Sequence, residues 1–384
     1  MSLLVDTTPL RVSRDFRRLW LGQAVSLFGS MITAAALPYQ VYHQTGSSLA
    51  VGLLGVAQLG PLLGFSLVGG ALADGVDKRR LLLAVTAAGM ACVAALAVNS
   101  SLDHPQLWLL YVVGAASSGL IAFSFPVVRS LLPLLLDSGL RPAAFALQSI
   151  YGSFGMMAGP AVGGALIALL GLTAAYTVDV ATYGLGLLAF AGVAPSPPVP
   201  GAPRASPASV LQGLRFLRGH SVILSIFGLD LLAMTFGMPR ALFPALADRL
   251  GGGPTLYGLL LSSVAAGAFV ASLASGWTAR VRRQGRAVLW AVAAWGAAVA
   301  VAGLVSAGRR VQRTRYRPDR WRGPEVAVMA SGLGVAVVGW WVNRYQLPIA
   351  YPDVSAAPEV SLLALVGGVA GVLAVLAAPR PKDL

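Results

Sequence analysis

Long apolar segments alternate with short polar ones along the first three hundred residues. Each of these segments is long enough to cross the hydrocarbon core of a bilayer as an α-helix. Backbone polar groups within lipid must be satisfied inside the segment, which favours helices over open strands. The pattern predicts an all-α membrane protein with nine spans at 17–41, 49–72, 81–100, 106–128, 143–169, 173–193, 221–246, 255–277 and 287–306.

A Pro-rich stretch, APSPPVPGAPRASPAS (residues 194–209), separates the first six spans from the next three. This composition is typical of a linker. The piece that follows, VLQGLRFLRGH, is short and amphipathic and should lie at the membrane surface. We therefore expect an amino-terminal six-helix bundle, a cytoplasmic linker with an amphipathic helix, a partial carboxy-terminal bundle of three spans, and an arginine-rich loop with a two-helix tail, at residues 1–193, 194–220, 221–306 and 307–384.

Composition supports a membrane location, and charge predicts the orientation. Of all residues 57% are hydrophobic and 11% charged, and the net charge is +14. The cations lie in alternate short loops, which indicates orientation in the membrane instead of binding to nucleic acid. The loops at 11–18, 78–80, 129–141, 204–218 and 280–286 are basic, whereas the other loops up to residue 306 carry only Arg240 and Arg249. This predicts a multi-pass protein of the cell membrane with a cytoplasmic amino terminus.

The segment GRRVQRTRYRPDRWRGPE (residues 308–325) conflicts with that orientation. Nine spans that begin inside end outside, which places these arginines on the disfavoured side. Two further apolar segments follow at 326–343 and 360–378. Three solutions stay open: the ninth span does not cross, the arginine loop is drawn outside, or the last two segments do not insert.

The loop after the second span, GGALADGVDKRRLLL, combines a glycine with carboxylates and cations. A carboxylate at a helix end can pair with arginines and with the positive amino end of another helix. The loop could therefore latch two halves of a transporter together, or could be a plain cationic anchor. The residues concerned are Gly70, Asp74, Asp77, Lys78, Arg79 and Arg80.

The fifth span carries GMMAGPAVGG (residues 155–164). Glycines four apart give a helix a smooth face for close packing, and a proline bends the helix. Such a helix could pivot against its neighbour and block ion leakage; ordinary small-residue packing is the alternative. The motif consists of Gly155, Gly159, Pro160, Gly163 and Gly164.

The first span carries a polar stripe, because its polar residues recur at helical spacing. A polar stripe on a membrane helix faces either a cavity or hydrogen-bonding groups of another helix. Both interpretations are open for Gln23, Ser26, Ser30, Thr33 and Gln40.

Ionisable residues inside the spans are few: Asp179, Asp230 and Arg240. Membrane carboxylates often carry protons in coupled transporters, so Asp230, near the middle of its span, is the first candidate for proton coupling. A structural pair or a water-exposed notch is the alternative. Arg240 could balance an anionic substrate or lie at the interface. The sequence has no phosphate-binding loop and no His/Cys cluster, so we expect no enzyme activity, cofactor or metal.

The loop motif G-x-L-A-D-x-x-x-R-R and the fifth-span motif G-x-x-x-G-P-x-x-G-G resemble those of the major facilitator superfamily, in its drug:proton antiporter and siderophore-exporter branch. The resemblance covers residues 10–305. Gly75 replaces the usual cation of the loop motif, and Asp77 replaces its later glycine. The resemblance implies a major facilitator helical bundle and a secondary active exporter, which uses protons to move a siderophore-like or drug-like small molecule.

Residues 310–380 are similar instead to the carboxy end of the energy-coupling factor transporter transmembrane component, the family of cobalt and vitamin importers. This implies a bundle truncated after about nine spans and a foreign two-helix tail. Two alternatives to an exporter follow: a transport-inactive fusion or remnant, and a membrane component of an import complex. The second is disfavoured because the helices that contact ATPase partners are missing.

Overall fold

The computed structural model describes residues 6–195 and 240–273, and within these ranges the chain forms helices, turns and loops without a strand. This confirms the all-α prediction. The helices are α1 (Thr8–Val12), α2 (Arg14–Thr45), α3 (Ser48–Gly75), α4 (Lys78–Ser100), α5 (Leu107–Leu135), α6 (Arg141–Ala191), α7 (Phe243–Arg249) and α8 (Gly253–Leu273). Short 3-10 turns at Ser138–Leu140 and Arg240–Leu242 precede α6 and α7.

Side-chain caps define where the long helices begin. The Ser13 hydroxyl accepts from the backbone N–H of Phe16 at 3.1 Å at the start of α2. Ser47 and Asp77 precede α3 and α4 in the same way and accept from backbone N–H groups of the first turn. These caps satisfy amide groups that have no partner inside the helix. At the other end of α2, Gly46 takes the left-handed conformation, with φ 62°, that commonly ends helices.

The helix α6 consists of two arms that meet at Gly171. The first arm (residues 141–170) and the second arm (residues 172–191) correspond to the predicted fifth and sixth spans. Gly171 has φ 85° and ψ 174°, a region that is essentially restricted to glycine.

The two arms run in opposite directions along α2. Trp20 near the start of α2 donates to the carbonyl of Leu147, early in the first arm. Ile32 lies further along α2 and packs against Gly163, which comes later in the same arm. In the second arm the order is reversed, because Gly186 contacts Ser26 whereas Asp179 contacts Thr33. The chain therefore reverses at Gly171, and α2 packs against both arms.

Two apolar clusters fill the end of the bundle where α2 and α4 begin and α5 ends. The first cluster joins α2, α4, α5 and the second arm of α6, through Leu19, Leu82, Phe123, Val127, Val128, Leu131 and Phe190. The second joins α2, α5 and the first arm, through Phe16, Leu132, Leu136, Ala144 and Leu147. These clusters fix the positions of the cationic residues at this end.

By length and composition, five helices of the described ranges are able to cross a membrane: α2, the Ser48–Phe65 part of α3, α4, α5 and α6. α6 contains both predicted spans, the fifth in its first arm and the sixth in its second arm. A shorter apolar helix spans Gly253–Phe269. Large apolar side chains are exposed on the outer surface, as expected for a protein that faces lipid.

The chain divides into two compact units. The first unit contains the described residues 6–195 and 247–272, and the second contains residues 240–246 together with residue 273. The described part of the predicted seventh span is a 3-10 turn followed by the first residues of α7. The predicted linker beyond residue 195, the ninth span, the arginine-rich segment and the two-helix tail lie outside the described residues, so their boundaries stay predictions.

Candidate functional site

The polar stripe of α2 faces the second arm of α6. Three side-chain hydrogen bonds form a ladder between the two: Ser30 to Tyr183 at 3.1 Å, Thr33 to Asp179 at 2.5 Å, and Tyr176 to Gln40 at 2.7 Å. Ser26 continues the stripe against Gly186, and Gln23 is half-buried. At Ser30, Thr33 and Gln40 the stripe therefore forms hydrogen bonds to another helix, which is one of its two interpretations.

Asp179 occupies the middle rung and is 0% exposed. One of its carboxylate oxygens accepts from Thr33, and the other lies 3.0 Å from the Thr182 hydroxyl. Gly29 of α2 faces the pair, and a Cβ at this position would overlap both Thr182 and Asp179. The absence of a side chain at Gly29 therefore lets the carboxylate approach the α2 backbone.

The sequence analysis named Asp179 but missed Tyr176 and Tyr183, which lie beside it on the sixth span. Tyr176, Asp179 and Tyr183 are separated by three and four residues, the spacing that places side chains on one helix face. This spacing is the signal that could have predicted their common face opposite α2.

The fifth-span motif forms two contact faces instead of one. Gly155, Gly159 and Gly163 contact α2, where a Cβ built on Gly163 would lie 3.3 Å from the Cα of Ile32. Gly164 faces α8, and a Cβ built there would lie 3.0 Å from the Cα of Gly258.

The contact with α8 is reciprocal. A Cβ built on Gly258 would lie 3.0 Å from the Cα of Gly164 and would overlap the carbonyl oxygen of Pro160. At this crossing the backbones of the first arm and α8 touch directly, so neither helix can carry a side chain there without moving.

The loop predicted as a latch (residues 70–80, hereafter the latch loop) contacts the end of the second arm. Asp77 caps α4 by accepting from the N–H of Arg80 at 3.0 Å, and Lys78 is buried, with 5% exposure. Arg79 donates to the carbonyl of Ala191 at 2.5 Å, while Arg80 is exposed. The side chains of Gly70–Gly75, including Asp74, lie outside the described residues.

Charged groups of α2 hold the same end of the second arm. Arg18 donates to the carbonyl of Gly192 and forms an ion pair with Asp15. Asp15 in turn accepts from the N–H of Ala194 at 3.3 Å. Cations near the last carbonyls of a helix are electrostatically favourable, so the start of the predicted linker is anchored to the amino-terminal unit.

Of the two other ionisable candidates, Asp230 lies outside the described residues. Arg240 begins a 3-10 turn in the second unit and is exposed. Among the described residues, no three His, Cys, Asp or Glu side chains are grouped closely enough to hold a metal ion.

The long apolar helices, the helical reversal and the glycine-mediated crossings are features of a polytopic membrane protein. A family model described as transmembrane secretion effector matches residues 6–311. The chain therefore belongs to the transmembrane secretion effector family of the major facilitator superfamily, whose members are transporters and not enzymes.

Relatives and solved structures are similar to the chain over most of its length. Enterobactin exporter EntS of Shigella dysenteriae serotype 1 (strain Sd197) is 28% identical over 290 residues, covering 75% of this chain and 69% of that protein. EntS of Escherichia coli (strain SE11) gives the same values.

Two crystal structures share the fold. A POT family transporter in complex with 5-aminolevulinic acid has a TM-score of 0.56 at 14% identity, covering 95% of this chain and 90% of that chain. A proton dependent oligopeptide transporter has a TM-score of 0.51 at 15% identity, covering 95% and 97%. None of these comparisons shows the predicted importer-like tail.

Proposed function

We propose that this protein is a secondary active exporter of a siderophore-like or drug-like small molecule, driven by the inward movement of protons. In this proposal the amino terminus and the latch loop face the cytoplasm. The similarity to enterobactin exporters supports the outward direction and the class of substrate.

The observation that carries this proposal is the pair of glycine faces on the first arm of α6. Gly163 meets the α2 backbone and Gly164 meets the α8 backbone. Close contacts between smooth backbones allow helices to pivot while excluding ions and water from the crossing. An exporter driven by a proton gradient needs both properties, because a leak at this position would dissipate the gradient.

The same proposal assigns a role to each of three charged candidate residues. Asp230 is the first candidate for proton coupling, and Arg240, with its exposed guanidinium, attracts an anionic substrate. Asp74 acts as the latch carboxylate. The engagement of Arg79 with Ala191 supports a mechanical role for this loop, because the loop is joined directly to the end of a membrane arm.

Efflux measurements test the proposal. The full chain is expressed in a bacterial host that lacks its own siderophore and drug exporters, and the cells are loaded with enterobactin or ethidium. We expect efflux that stops when a protonophore collapses the proton gradient. Asp230→Asn should abolish this efflux, whereas the matched change Asp103→Asn, in an exposed loop, should leave it unchanged.

Two outcomes would contradict the proposal. Normal insertion into the membrane with no efflux of either compound would favour the transport-inactive interpretation. Co-purification with ATPase subunits, together with uptake that depends on ATP, would favour the import component.

A further inference from the structure

Asp179 is buried at the contact between α2 and the second arm of α6. Among the described residues, no cationic side chain lies within ion-pair distance of its carboxylate; the ion pair described above joins Arg18 and Asp15. The groups that do contact Asp179 are two hydroxyls, of Thr33 and Thr182. A buried carboxylate charge with such partners is energetically costly.

The hydroxyl of Thr182 has one proton and two acceptors within reach. Its oxygen lies 2.8 Å from the backbone carbonyl of Asp179 and 3.0 Å from the carboxyl oxygen Oδ1 of the same residue. When Asp179 is ionised, both oxygens compete for this proton, because a carboxylate only accepts.

The neutral acid resolves that competition. A proton on Oδ1 can be donated to the Thr182 hydroxyl oxygen, which then donates its own proton to the backbone carbonyl. Thr33 donates to Oδ2 at 2.5 Å. Each hydroxyl proton then has one acceptor, so the geometry is complete for the protonated form.

Among the residues that the structure describes, the titratable groups near Asp179 do not supply a charge. Tyr183, one turn further along the arm, accepts from Ser30 of α2, and Cys92 of α4 lies close to Tyr183. Tyr176, one turn earlier, donates to Gln40. A tyrosine and a thiol are both ordinarily neutral at pH 7, so Asp179 is the group of this cluster that can exchange a proton there.

We propose that Asp179 is a proton-binding site that controls the contact between α2 and the second arm of α6. The inference rests on the proposed proton-driven export, for which the site would carry the proton. The protonated acid completes the hydrogen bonds of the middle rung and holds the two helices together. Release of the proton to entering water leaves a charge against Gly29, which favours separation of the helices and hydration of the rung.

Infrared difference spectroscopy tests the site without any substrate. Spectra of the purified full chain in lipid are recorded at acidic and alkaline pH, and the carbonyl stretch of a protonated carboxyl group is followed. Exposed carboxyl groups also protonate at acidic pH, so the band of Asp179 is the component that wild-type spectra show and spectra of Asp179→Asn lack. Asparagine is the suitable replacement because its amide can donate to Thr182 and accept from Thr33, as the neutral acid does.

Two further variants make the assignment specific. Asp103→Asn should retain the band, because this side chain is exposed. Thr33→Val should shift the band frequency, because the carbonyl oxygen loses its donor. If folded Asp179→Asn keeps the wild-type band, the proposal is wrong.

Efflux separates this proposal from the proposed function. Asp179→Asn should still equilibrate ethidium down its gradient but lose proton-driven efflux to the level of cells without the protein. Unchanged proton-driven efflux in this variant would refute the role of Asp179 and leave the exporter assignment intact. If the Asp179 band titrates but the protein shows no efflux, Asp179 stands as a proton-binding site and the exporter assignment is refuted.

Discussion

Single residues determine how closely α2 approaches the second arm of α6. Gly29 leaves space for the Asp179 carboxylate and the Thr182 hydroxyl. The sequence predicted a polar stripe on α2 from its spacing, but spacing within one helix does not specify the partner helix. The space at Gly29 also depends on Asp179 and Thr182, which lie far along the chain, so it could be recognised only after the two helices were placed together.

Gly29→Ala tests this space directly. The added methyl group would overlap Thr182 and Asp179, so we expect the middle rung to break and the free energy of unfolding to fall by about 1–3 kcal/mol. Thermal unfolding of the purified protein in detergent measures the effect. Gly52→Ala is the matched control, because a Cβ on Gly52 has no neighbour within 4 Å. Equal midpoints for the two variants would contradict the packing described here.

Whole helices were easier to predict from the sequence than their contacts. Apolar length located α2, α3, α4 and both arms of α6 to within a few residues, since helix starts coincide with caps such as Ser13 and Asp77. It ended the fourth span too early, at residue 128, whereas α5 continues to Leu135. The two-sided use of the fifth-span motif was not predicted. Gly163 and Gly164 are adjacent in sequence and therefore about 100° apart on the helix, so they face α2 and α8 respectively.

A larger side chain on either helix should destabilise the crossing of the first arm with α8. Gly164→Val and Gly258→Val should each lower the thermal midpoint, because both insert a side chain between touching backbones. The double variant should lose less than the sum of the two, since the first substitution already separates the helices.

Gly152→Val controls for the effect of valine in the same arm, because a Cβ on Gly152 meets nothing within 4 Å. Additive losses in the double variant would indicate that the two glycines act at independent contacts.

At the scale of the whole molecule, charge makes a prediction that is independent of packing. The distribution of arginines predicts that the latch loop and the start of the linker face the cytoplasm. Arg79 and Arg18 reach carbonyls at the end of the second arm, which brings the basic loops to one end of the amino-terminal unit. The conflict raised by residues 308–325 stays a prediction about a segment outside the described residues.

Thiol labelling checks this orientation. In a Cys92→Ser background, Asp103→Cys should react with a membrane-impermeant maleimide on intact cells. Asp137→Cys, in the loop at the opposite end of α5, should react only after permeabilisation. Both aspartates are exposed in the structure, so a difference between them reports the side of the membrane. The reverse labelling pattern would overturn the orientation.

The reversal at Gly171 also has a consequence for biosynthesis. Because the two arms of α6 are separated by one residue, no hydrophilic loop is available to remain in water between the two crossings. The arms must leave the translocon together as a helical hairpin, with their backbone hydrogen bonds already formed. We therefore expect the two faces that contact α2 to enter the membrane in a single insertion step.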